Sequence, residues 1–143
     1  MKKSIVLLTM LMLTASTVPL MAKEFIVPTG VNITSIEDNL LFGLSTNNTG
    51  VQRSCALLLG KIQSDKAVIL LMALFSNYSD ENLRIAAAWA LCMIGDRRGI
   101  NAVKAAAEND ECSRVQAICR LYYENLKKGG KFSLAQPEEN INN

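Results

Sequence analysis

Four cysteines, three adjacent acidic pairs and one Arg-Arg pair are the residues here whose types could do chemistry. Cys55, Cys92, Cys112 and Cys119 could in principle be bridged, bind metal or act as nucleophiles. The 143-residue chain contains no His. That removes Ser-His and Cys-His pairs and any imidazole ligand. No Gly-rich phosphate loop is present. Glu37-Asp38, Asp80-Glu81 and Asp110-Glu111 stand at or just before helical patterns. Acids placed there cap the helix and complement its dipole, a reading preferred over catalysis or calcium binding. Asp96 is read the same way, and Arg97-Arg98 as a solvated turn rather than an anion clamp. The expectation is a chain that is not an enzyme, with no catalytic residue, metal or cofactor.

The elements that carry these residues are helices in a repeat. Leu83 to Ile94 (LRIAAAWALCMI) is apolar nearly all round, with Arg84 its only charge. Such a helix belongs in the middle of a fold or at an interface. It aligns without gaps with Val51 onward (VQRSCALLLGKI) and Val115 onward (VQAICRLYYENL), each 32 residues apart. Between them, Lys66–Ser76 and Arg98–Glu108 correspond as a second helix. Ser35–Leu44 matches that second helix alone, with Ser35 as its cap, and Val115–Lys127 matches the first alone. A fixed period with two helices per unit marks a helical solenoid. The predicted fold is all-α, a short right-handed α-solenoid of about five helices. Its repeat domain is 35–128, with units at 35–50 (partial), 51–82, 83–114 and 115–128 (partial). A 32-residue period also holds the thiols apart, so no disulfide or four-Cys metal site is expected. Cys55 and Cys119 lie two helix spacings apart, and Cys112 and Cys92 are offset along the helix axis.

Leu83, Arg84, Ala87, Ala88, Ala90, Leu91, Ile94, Gly95 and Asp96 resemble the pattern of HEAT-like repeats first noted in phycobilisome lyase subunits. The resemblance covers roughly Ser35 to Lys128 and implies a scaffold architecture rather than one activity. Deoxyhypusine hydroxylase, a member of the wider family, binds its metals through His-Glu pairs, which a chain without His cannot supply. Phycobilin lyase subunits act inside the cell, which the leader described next argues against.

Met1-Lys2-Lys3, the apolar run Ile5–Leu13, Pro19 and Ala22 read as a cleaved signal peptide, residues 1–22. The expectation is a periplasmic or secreted protein starting at Lys23, with no membrane span in the mature chain. Residues 23–34 read as an extended arm and 129–143 as a disordered tail. The formal charge is +2, and losing Lys2 and Lys3 leaves bases and acids equal, which excludes nucleic acid as a partner. The expected function is a protein–protein interaction module or assembly scaffold, binding another protein or a second copy. The alternative is a small-ligand carrier, or an enzyme or accessory subunit, using the concave groove. Leu57, Trp89 and Leu121 occupy one repeat position, which the HEAT-like resemblance implies is normally polar. With Ile85 and Cys92 they form the predicted partner-binding ridge, unless the chain covers it with Phe25-Ile26-Val27 or with Phe132 and Leu134.

Overall fold

The computed structural model describes residues 32–77 and 79–129. The expected leader, most of the arm and nearly all of the tail lie outside these residues, Phe25–Val27, Phe132 and Leu134 among them. The described chain is all-α. Its helices are α1 Ile33–Leu44, α2 Thr49–Lys61, α3 Val68–Asn77, α4 Glu81–Ile94, α5 Arg97–Asn109 and α6 Ser113–Lys127. A single 3-10 turn, Asp65–Ala67, leads into α3. There are thus six helices among the described residues where the pattern suggested about five. The period is exact in three dimensions, since α2, α4 and α6 start at Thr49, Glu81 and Ser113, each 32 residues apart.

Local chemistry accounts for the helix ends. Asn48, Asp80 and Asp96 cap α2, α4 and α5 by accepting the N–H of Val51, Leu83 and Arg98. Cap position differs from expectation in α1, where Asn32, not Ser35, accepts the N–H of Thr34 at 3.0 Å. Helix α1 therefore begins two residues earlier, inside what reads as arm. Gly95 closes α4 with φ +80, a conformation that a residue with a Cβ rarely adopts.

Helices α2, α4 and α6 form one layer and α1, α3 and α5 the other. Each first-layer helix packs broadly on the second-layer helix that precedes it: α2 on α1, α4 on α3, α6 on α5. Helices α2 and α3, neighbours within one sequence unit, share little contact. The packed pair is thus offset by one helix from the repeat as written in the sequence. The half-units at the ends are resolved by this offset into whole pairs.

One side chain recurs at the seam of every pair. Gln52, Arg84 and Gln116 stand 32 residues apart, at the fourth position of α2, α4 and α6. Gln52 donates to the Leu44 carbonyl at 3.0 Å, Arg84 to Phe75 at 2.8 Å and Gln116 to Glu108 at 2.9 Å. Each satisfies a last-turn carbonyl that its own helix leaves without a partner. Arg84 does more, because its guanidinium also grips Asp110 through both carboxylate oxygens and lies 5.6 Å from the Phe75 ring centre. Asp110 in turn accepts the N–H of Cys112 at 3.0 Å. This acid was expected to cap a helix; it ties α4 to the α5–α6 turn instead.

The core centres on α4, which touches α2, α3, α5 and α6. Every residue from Ile85 to Cys92 is buried. Close approach depends on two glycines. A Cβ at Gly60 would lie 2.8 Å from the Ala90 Cα, and one at Gly99 would lie 2.8 Å from Leu91 Cδ2. Either would require neighbouring atoms to shift.

Candidate functional site

Placement of the predicted ridge departs from a surface feature. Leu57, Ile85, Trp89 and Cys92 are buried, and only Leu121 is open, at 50% exposure. The reason lies in the setting of α4, which has helices on several sides and no polar face to turn to water. Trp89 beds against Gly60, where a Cβ would come within 3.0 Å of its ring. Cys92 belongs to the α4–α6 interface, near Cys119 and Tyr122. The five residues are therefore not presented together to a partner.

The three buried thiols are chemically quiet. All four cysteines are free, three of them buried and Cys112 half-buried. Burial pushes Cys92 and Cys119 up to about 12 and also raises Cys55. A thiol held that far from ionisation is a poor nucleophile and a poor metal ligand. Spacing arguments weighed Cys55 with Cys119 and Cys92 with Cys112, and missed that the fold brings Cys92 and Cys119 into one interface. The signal was available, because Cys119 aligns with Ala87 and so sits on the helix next to Cys92.

The surface acids serve the structure. Glu37 pairs with Lys66 at 2.8 Å and accepts the Ser64 hydroxyl, which together lower its pKa and join α1 to the turn before α3. The Arg98 guanidinium, hydrogen-bonded to the Asp96 carboxylate, holds that acid below the usual range. Glu81 pairs with Arg114 at 3.3 Å. Exposed pairs of this kind contribute little stability. No group of three or more His, Cys, Asp or Glu able to hold a metal occurs among the described residues. None of the described helices is long and apolar enough to cross a membrane.

Apart from Leu121, the exposed apolar side chains lie away from the ridge. Ile69 is 59% and Leu70 38% exposed on α3, beside exposed Ala73. Helix α3 carries no charged residue from Val68 to Asn77. Across from it, α5 turns Asn101, Lys104, Ala105 and Glu108 to the solvent. The second helix layer therefore has an apolar centre with a polar flank. That arrangement resembles the core and rim of a protein interface.

Comparison with known proteins agrees with the geometry. The family described as HEAT repeats matches residues 37–121, which run from α1 into α6. No curated protein matches the sequence.

Proposed function

Because the chain belongs to the HEAT-repeat family, we propose that it is an exported, non-catalytic interaction module that docks another protein on its second helix layer. HEAT repeats generally mediate protein–protein contacts, and stacked repeats offer extended surfaces for that purpose. The observation that carries this reading is the open apolar pair Ile69 and Leu70 on an uncharged helix. Contiguous exposed apolar surface of this kind marks contact sites. Export rests on the leader, with its basic start, short apolar run and small residue at Ala22.

One experiment addresses both parts. The tagged chain is expressed and captured from a cell-envelope extract, beside the variant Ile69→Lys/Leu70→Lys. The expected result is a co-purifying protein that the variant loses while keeping its helical circular dichroism, and a captured chain that begins at Lys23. Equal recovery by both forms, or a retained Met1, would count against the docking face or the export respectively.

A further inference from the structure

Charge changes sign across the second helix layer. Helix α1 carries Glu37 and Asp38 and no base, a net charge of −2. Helix α3 carries no charge. Helix α5 carries Arg97, Arg98 and Lys104 against Glu108, a net charge of +2. Pairing within the chain leaves charge available on both flanks. Lys66 holds Glu37 at 2.8 Å but reaches Asp38 only at 3.7 Å, and the Asp38 side chain is 64% exposed. Arg98 is held by Asp96. Arg97 and Lys104 are exposed and form no ion pair among the described residues. Between the two flanks lie the exposed Ile69, Leu70 and Ala73 of α3. The layer thus runs from acidic through apolar to basic.

We infer that the partner docked on this face is a second copy of the chain, related by a two-fold axis parallel to α3. The inference rests on the docking face proposed above and names its occupant. Such an axis lays α3 on α3, so that Ile69 meets Ile69 of the other copy. It also sets α1 of each copy over α5 of the other, acid on base. The register fits. Asp38 is the repeat equivalent of Leu70 and Lys104 that of Met72, which puts them two residues apart along the helix direction, roughly 3 Å. A lysine side chain spans that offset, and the symmetry forms the pair twice. A closed dimer needs a surface that complements itself, and an apolar strip between flanks of opposite sign is such a surface. An axis running across the helices would instead set α1 on α1 and α5 on α5, which like-charge repulsion disfavours. Exposed ion pairs add little affinity. Ile69 and Leu70 therefore supply the burial, and the charges choose the register.

Sedimentation velocity over a range of concentrations tests the pairing, on the full chain and on the variants Asp38→Lys and Lys104→Glu. The parent should pass from monomer to dimer as concentration rises. Each variant sets like charges against each other twice, and should dimerise roughly tenfold more weakly while keeping its helical circular dichroism. An equimolar mixture of the two variants should dimerise as the parent does, because each then meets the opposite charge on the other. A parent that stays monomeric overturns the inference. So does a dimer that keeps its strength in both charge variants or in Ile69→Lys/Leu70→Lys, and so do charge variants that weaken without recovery on mixing. If the parent is monomeric yet Ile69→Lys/Leu70→Lys still abolishes capture of a different protein, the docking face stands and only the second copy is refuted.

Discussion

Cys92, Cys119 and Tyr122 share the α4–α6 interface, and burial raises the pKa of all three, the two thiols to about 12. The folded chain therefore keeps protons that the unfolded chain releases once pH passes the ordinary values of 9.0 for Cys and 10.0 for Tyr. Between those values and the folded ones the unfolded state binds fewer protons, so stability falls as pH rises. Well below pH 9 both states hold the protons and nothing is lost. Melting temperature should thus be flat from neutral pH to about 8.5 and then fall. Cys92→Ala/Cys119→Ala should fall less steeply, and an equal slope would place the effect elsewhere. Thiol titration should report one reactive group, Cys112, in the native chain and four in denaturant without reductant. Fewer than four would reveal a disulfide.

The seam residue of each helix pair decides how firmly the pairs hold. Gln52 and Gln116 each donate to a carbonyl on the preceding helix, whereas Arg84 adds a carboxylate. The Asp110 side chain is only 6% exposed and Arg84 18%. Arg84→Ala removes the carbonyl cap and leaves Asp110 buried without its countercharge. The cost should be about 3 kcal/mol, the low end for breaking a buried pair, because Arg84 keeps some exposure. Arg84→Gln copies the neighbouring seams and retains the cap, yet still strands the acid. Adding Asp110→Asn to Arg84→Gln should recover part of the loss, measured by urea unfolding. If Arg84→Ala costs no more than a surface substitution, the pair does not hold the seam.

At the scale of the whole chain, α4 touches four of the other five helices, so the stack should not unzip repeat by repeat. Trp89 is the single tryptophan and lies buried in that helix. Its emission reports the centre, while far-UV circular dichroism reports every helix. The two signals should give coincident transitions in urea. A tryptophan transition later than the loss of helix would mean that the outer pairs melt first.

Periodicity in the sequence was enough for the all-α class, the 32-residue repeat and the central place of Leu83–Ile94, because burying one face of each helix writes itself as a spacing. Asp80 and Asp96 were legible as caps for the same local reason: cap and helix start are neighbours in the chain. The phase of the repeat was not legible. A pattern that returns every 32 residues reads the same whether a helix packs on the one before it or the one after. Nor could spacing show that Trp89 is buried, since it marks a side chain as apolar without saying what comes close. Gly60, by having no side chain, lets α2 and α4 approach until the indole is covered. The partnership of Arg84 with Asp110 and the meeting of Cys92 with Cys119 have the same origin. All depend on distances between helices, which side-chain volumes settle only when the chain is packed.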